Sequence, residues 1–190
     1  MKKVVFLSGK KVNLRPYDKE KDLRNLLRWI SDPETRQFIS SHAQFPKSLE
    51  KEEDEMRKRT TGPENVFLII ETKNHRPIGC MGLHKIDWIN RTAESGASIG
   101  EKKYQNKGYG TDAKMFFLNY AFNTLNLRKI NSAAFSFNKR SLAYNGKCGY
   151  KIEGVFKRQF FRNGKYHDAI MIAVFKEDFQ NIWKRYQKAD

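Results

Sequence analysis

Little in this chain favours binding a metal or crossing a membrane. Only two cysteines occur in 190 residues, Cys80 and Cys148, far apart and in no CxxC pair, so neither a metal knuckle nor a redox motif is indicated and a reduced cytoplasm fits. The histidines His42, His75, His84 and His167 show no HxxxH spacing, and no metal is implied. Long hydrophobic runs are missing too. The opening MKKVVFLSGKKVNLR starts basic, but its apolar run is too short for a signal peptide or a membrane span, so the expectation is a cytoplasmic protein with no membrane contact. Repeats and low-complexity linkers are absent, which predicts a single domain over residues 1–190 with a core of its own.

Negative charge is also scarce. Lys and Arg number 37 against 21 Asp and Glu, a net charge of +16, and residues 101–190 carry 18 basic side chains against 7 acidic ones. A field of that sign attracts phosphates, nucleic acid or acidic protein surfaces, and a solvated lysine-rich surface accounts for it equally well.

What is present alternates between two periods. Residues 12–14 read as a short strand closed by Arg15-Pro16, and Leu23, Leu26, Leu27 and Ile30 then recur at helical spacing. Ser48 heads a second helix, acidic at its start (Glu50, Glu52, Glu53, Asp54, Glu55) and basic at its end (Arg57, Lys58, Arg59), the order that the helix dipole favours. From Val66 the runs VFLIIET, IGCMGLHKI and AESGASIG, joined by short polar turns, predict an antiparallel meander. A helix over 114–125, a strand within LRKINSAAFSF, a short helix over 141–147 and a hairpin turning at Asn163-Gly164 complete the chain. The strand–loop–helix–strand unit after AESGASIG needs a crossover, so its two strands are expected to be parallel. The fold class is α/β in the α+β sense: a mixed sheet flanked by helices.

Between the third meander strand and the long helix stands YQNKGYG, residues 104–110. A strand feeding a helix through a glycine-rich turn leaves the first helical N–H groups without partners, aimed at whatever fills the turn. Glycine allows close approach, and Lys102, Lys103 and Lys107 raise the local potential. The spacing is not GxxxxGK[ST], which excludes a P-loop, and the third glycine of the dinucleotide fingerprint is missing. By itself the loop is read either as an anion site or as a plain turn.

A second element follows one strand later: Asn138, Ser141, Tyr144, Gly149 and a closing aromatic, in NKRSLAYNGKCGY. Taken with Gln105, Gly108 and Gly110, it resembles the GNAT superfamily of acetyl-CoA-dependent N-acetyltransferases. The marks of that superfamily are Q/R-x2-G-x-G/A and, after one more strand, N-x6-Y-x3-G-F/Y. The resemblance runs from VNLRPYDKEKDL to the final hairpin and is nearest the branch holding ribosomal-protein N-terminal and spermidine acetyltransferases. It implies a mostly antiparallel sheet with a central splayed parallel pair. It also implies that acetyl-CoA is the cosubstrate, its pyrophosphate held by the backbone of Gln105, Asn106, Lys107, Gly108, Tyr109, Gly110 and Thr111. The pantetheine arm would pair with the strand edge at Ser98 and Ile99, and Asn138 and Ser141 would contact its other side; a plain helix cap is the alternative for Asn138.

Acetyl transfer to an amine needs a neutral amine and an acid for the departing thiolate. By the resemblance Tyr144 takes the acid position, its alternative being an aromatic packed under the cofactor. Glu94, in RTAESG, is the candidate base, its alternative being a surface or substrate-orienting carboxylate. Base help matters more for a polyamine or lysine amine than for an α-amine, which is already partly neutral at pH 7. Gly96 and Ala97 replace bulky residues of the family strand, which predicts a reshaped acceptor lining. The preferred acceptor is a protein N-terminus of ribosomal-protein type, because a +16 surface suits docking near RNA, with nucleic acid a partner only indirectly. The alternative is a small-molecule amine, whether polyamine, amino sugar or antibiotic, with Glu50 to Glu55 lining the pocket if it is a polycation. A non-catalytic nucleic-acid module stands furthest off, since it leaves the paired motifs unexplained. The closing segment FQNIWKRYQ, with Trp183 and Tyr186, fits either a homodimer seam or a cap on the domain.

Overall fold

The computed structural model describes residues 4–39 and 44–188; His42 lies outside them. In chain order the elements are β1 (Leu7–Ser8), β2 (Val12–Pro16), α1 (Lys19–Ser31), α2 (Pro33–Arg36), α3 (Leu49–Thr61), β3 (Val66–Thr72), β4 (Pro77–Asp87) and β5 (Thr92–Ile99). A 3₁₀ turn at Lys102–Tyr104 then leads into α4 (Tyr109–Asn123), β6 (Lys129–Phe135), α5 (Lys139–Lys147), β7 (Lys151–Arg162), β8 (Lys165–Phe175) and α6 (Lys176–Lys188). The eight strands form one sheet in the order β1-β2-β3-β4-β5-β6-β8-β7. Every neighbouring pair is antiparallel except β5 and β6, which α4 connects.

Each face of the sheet is covered. Along β3 the side chains of Leu68 and Ile70 join the cluster beneath α4, while Ile69 joins Leu23, Leu26, Trp29 and Met56 of α1 and α3 on the other face. This is the period-two alternation of a strand buried on both sides. Arg15 ties β2 to both neighbours: its guanidinium grips Asp22 of α1 with two hydrogen bonds of 2.7 Å and reaches Glu71 of β3 at 2.9 Å. The planar fork suits this bidentate use.

Local chemistry sets the ends of the elements. The Asp18 side chain caps α1, Ser48 caps α3 and Asn138 caps α5, each accepting backbone N–H groups of the first turn. Asn163 and Gly164 take φ of 50° and 75°, the left-handed pair that a two-residue hairpin needs. Helix α2 was not legible from spacing, being a single turn started by Asp32-Pro33. The final hairpin is irregular: β7 slips register between Phe156 and Phe160, with Arg158 at φ 52° and its N–H held by Asp168 at 2.8 Å.

Candidate active site

Three residue pairs hold the parallel strands together, Thr92 with Lys129, Ala93 with Ile130 and Glu94 with Asn131. Beyond them β5 runs on to Ile99, still paired on its other side with β4, while β6 continues alongside β8. The result is a V-shaped gap inside one sheet. At its apex the Ser132 hydroxyl donates to the Ser95 carbonyl at 3.0 Å. Towards the mouth the β5 edge at Ser98 and Ile99 has no strand beside it, and Gln105 Nε2 donates to the Ile99 carbonyl at 2.8 Å. The gap opens into a cavity of about 1360 Å³ that also reaches Trp29 and Met56 on the α1 and α3 side.

The mouth is formed by the glycine loop. Gly108 caps α4 at φ 85° and supplies no capping side chain; an L-residue is strained there. The first intrahelical hydrogen bond of α4 is from Asp112 N–H to the Gly108 carbonyl, so helix geometry leaves the N–H groups of Tyr109, Gly110 and Thr111 free for a ligand. The helix starts five residues before the expected 114 because Tyr109 and Gly110 form its first turn. Cations crowd the same place. Lys11 Nζ donates to the Lys107 carbonyl at 3.1 Å, and Arg140 donates to Gln105 Oε1 at 2.7 Å. Lys102, in contrast, is drawn off towards Asp32 and Glu34.

At the closed end a buried polar chain crosses from helix to strand. Lys114 Nζ donates to Ser95 Oγ at 3.0 Å, and Ser95 Oγ meets the Tyr150 hydroxyl at 2.7 Å. The ammonium lies 5.6 Å from the centre of the Tyr144 ring and 5.2 Å from that of Tyr150. Burial lowers the Lys114 pKa to about 8 and raises the Cys148 thiol to about 12. The Tyr144 phenol is raised well above 10, again by burial first. Next to it, Asn145 is buried; its Nδ2 donates to the Ser141 carbonyl at 2.9 Å, and its Oδ1 has no partner among the described residues. That orphaned acceptor on the cavity wall suits a ligand with amide N–H groups.

The cavity is also lined by three carboxylates, each holding an ammonium. Glu94 takes Lys85 Nζ at 2.9 Å, with His84 Nε2 at 3.5 Å. Glu52, together with Glu55, takes Lys47 at 2.7 and 2.6 Å, and Glu34 takes Lys102 at 3.0 Å. Of the acidic stretch 50–55, only Glu52 lines the cavity among the described residues.

The sequence pattern of the acetyltransferase (GNAT) domain matches residues 11–151. The chain belongs to the GNAT acetyltransferase family. A spermidine N(1)-acetyltransferase of Escherichia coli (strain K12) is 27% identical over 182 residues, covering 90% of either chain. A Bacillus subtilis (strain 168) protein provisionally named as a ribosomal N-acetyltransferase is 31% identical over 102 residues, 54% of this chain. Among solved structures, the Vibrio cholerae spermidine N-acetyltransferase in complex with CoA and spermine superposes with a TM-score of 0.81 at 24% identity, over 90% of this chain and 98% of that one; that likeness speaks to the fold. This GNAT chain is therefore an N-acetyltransferase, with acetyl-CoA as its cosubstrate.

Set on the GNAT frame, Ser98, Gln105, Asn106, Gly108, Gly110, Asn138, Ser141 and Tyr144 all border one cavity with Ile99, Thr111 and Glu94. Lys107 and Tyr109 are not on its wall. Asn138 serves as the cap foreseen as its alternative, its Oδ1 accepting from Ser141 N–H at 3.1 Å. One register needs correcting. Counted as N-x6-Y-x3-G from Asn138 to Gly149, the tyrosine position falls on Asn145, and Tyr144 stands one residue earlier. A single residue is about 100° of rotation on a helix, so Tyr144 enters the site on a different bearing, over Lys114. The sequence pattern assigns Lys114 no role beyond starting a helix. Its signal was there to be read, since 114, 117, 118 and 121 make one stripe on α4, and all four are buried.

Among the described residues, no helix is long and apolar enough to cross a membrane, and no group of three or more His, Cys, Asp or Glu is placed to hold a metal.

Proposed function

We propose that the acceptor is a small polyamine-type primary amine, which reverses the preference drawn from the basic surface. The observation that carries this reading is the set of carboxylates on the acceptor half of the cavity, Glu34, Glu52 and Glu94, each already binding an ammonium. A wall that binds lysine ammoniums offers the same chemistry to a substrate carrying several of them. The full-length match to spermidine acetyltransferases supports the same class, while the ribosomal relative matches little more than half the chain. A net charge of +16 does not oppose this, because nearby carboxylates act at contact distance while remote charges are screened within about 10 Å.

Acetyl-CoA supplies the acetyl group as a thioester. In this reading the free N–H groups at the start of α4, with Lys11 and Arg140, hold its phosphates. The β5 edge at Ser98 and Ile99 takes the pantetheine arm as an added strand, and Asn138, Ser141 and Asn145 face it from α5. Glu94 receives the substrate ammonium in place of Lys85 and accepts the proton that makes the amine nucleophilic. Tyr144 is the hydroxyl on α5 that returns a proton to sulfur.

The deciding experiment is a thiol-release assay with acetyl-CoA across spermidine-type polyamines, amino sugars, amino acids and N-terminal peptides. Turnover on polyamines is expected. Turnover confined to peptides would defeat the assignment.

A further inference from the structure

Lys114 is among the largest side chains to be fully buried, and no carboxylate among the described residues forms an ion pair with it. Burying an unpaired ammonium is unfavourable, and chains usually avoid it by pairing or by neutralisation. Here Ser95 Oγ accepts one of the three ammonium hydrogens, and two aromatic rings lie within 6 Å. Around the nitrogen stand Ser95 of β5, Tyr144 of α5, Tyr150 and Cys148 before β7 and, further out, His84 of β4. None of them carries a negative charge at neutral pH.

The place of this charge is specific. Ser95 is the first residue of β5 past the last parallel pair, so Lys114 sits at the apex of the gap and lines the cavity there. The phosphate end of the cofactor belongs at the opposite, open end, by the loop at 105–110. An arm running from that loop along β5 brings its sulfur towards the apex. This step rests on the cofactor placement proposed above.

We propose that Lys114 is the counter-charge for the thiolate released by acetyl transfer. In that reaction the bond from amine nitrogen to acetyl carbon forms and the carbon–sulfur bond breaks, with the electron pair leaving on sulfur. The amine gives up one proton and the sulfur gains one, so Lys114 ends as it began. The need for such a charge follows from its neighbours. Asn145 has no ionisable proton to give, and a phenol held well above 10 is a weaker acid than an aliphatic thiol at about 8.5. Proton return from Tyr144 to sulfur is then uphill, so the sulfur first leaves as a thiolate and its charge needs a partner until the proton arrives. A fixed ammonium in a dry pocket supplies that partner with no reorganisation at the moment of transfer.

The test reads the bound product before it reads turnover. CoA binding is measured by calorimetry, and the thiol of bound CoA is titrated through thiolate ultraviolet absorbance, in the native chain, Lys114→Met and Lys114→Gln. The native chain is expected to lower the thiol pKa by about one unit or more, and both variants to return it to the value of free CoA. The kcat of both variants is expected to fall on the order of 100-fold, with the KM for acetyl-CoA within about threefold of native. Glutamine retains an N–H donor near Ser95 without the charge, so restored activity in Lys114→Gln would reduce Lys114 to a structural role. An unshifted thiol in a native chain that binds CoA would overturn the counter-charge alone. No CoA binding by the native chain would overturn the cofactor placement and the counter-charge with it.

Discussion

The Tyr186 hydroxyl donates to Asp112 Oδ1 at 2.6 Å. The same carboxylate also accepts the N–H groups of Lys10, Lys11 and Val12 at 3.1, 2.7 and 3.0 Å, so one buried side chain in the first turn of α4 pins both the turn before β2 and helix α6. It stands two residues after Gly110, directly behind the glycine loop. Trp183 and Tyr186 accordingly pack against Phe116 of α4.

Replacing Asp112 with Ala strands three backbone donors and a phenol. Stability should drop by roughly 3 kcal/mol or more, because each unsatisfied buried group costs about 1–3 kcal/mol. Tyr186→Phe removes one partner only and should cost about 1 kcal/mol. Urea melts of the two variants check the ranking, and equal losses would contradict it.

Gly108 at φ 85° predicts a loop that tolerates no β-branched residue. Gly108→Val should raise the KM for acetyl-CoA by about tenfold or more while thermal stability changes by roughly 1–3 kcal/mol. Steady-state kinetics with varied acetyl-CoA decides the matter, and an unchanged KM would remove the loop from cofactor binding.

Tyr144→Phe separates the acid from the packing aromatic. As the acid, its loss should lower kcat by about 100-fold with little change in CoA affinity. As a ring packed against Lys114, it would alter stability and leave turnover intact. Stopped assays beside calorimetry on one preparation tell these apart.

Most of the sheet was legible because its signals are local. VFLIIET and Asn163-Gly164 carry strand and turn chemistry in adjacent residues, and Asp18, Ser48 and Asn138 mark helix starts by their own side chains. The glycine loop was legible for the same reason. Harder to read were features made by distant parts of the chain meeting. Nothing near Lys114 in sequence names Ser95 or Tyr150 as its neighbours, and the ion pairs of Glu94 and Glu52 depend on how β4 and the segment before α3 fold back. The motif's tyrosine position was hard to read for another reason: Asn145 occupies it, while a conspicuous aromatic, Tyr144, stands one residue earlier.

Lys114 also makes stability depend on pH in an unusual direction. Its folded pKa near 8 lies below the 10.5 of an ordinary lysine, so between those values the unfolded chain binds more protons and the stability contribution of this residue improves as pH rises. Below pH 8 the burial cost is present in full. Lys114→Met should therefore stabilise the protein at pH 7 by about 1–4 kcal/mol, with a gain that shrinks between pH 8 and 10.5. Thermal melts of both proteins across that range test the sign, and a destabilised variant at pH 7 would refute it.

Glu94→Gln removes a carboxylate from the cavity wall. The KM for a polyamine should rise by about tenfold or more, whereas the KM for acetyl-CoA should not move. A variant that loses kcat equally at every pH, with KM unchanged, would point to a positioning role unrelated to substrate charge.

Among the described residues, three parallel residue pairs, the Arg128 and Lys129 N–H groups on the Arg91 carbonyl and the Ser132 hydroxyl on the Ser95 carbonyl join the β1–β5 part of the sheet to the β6–β8 part. A ligand that fills the gap is therefore also a seam between two plates. With the seam in place, strand edges in the two plates would have to open to solvent together. The grip on the cofactor and the mechanical unity of the sheet would then be one quantity, read either as affinity or as slowed amide exchange at Ser98 and Ile99.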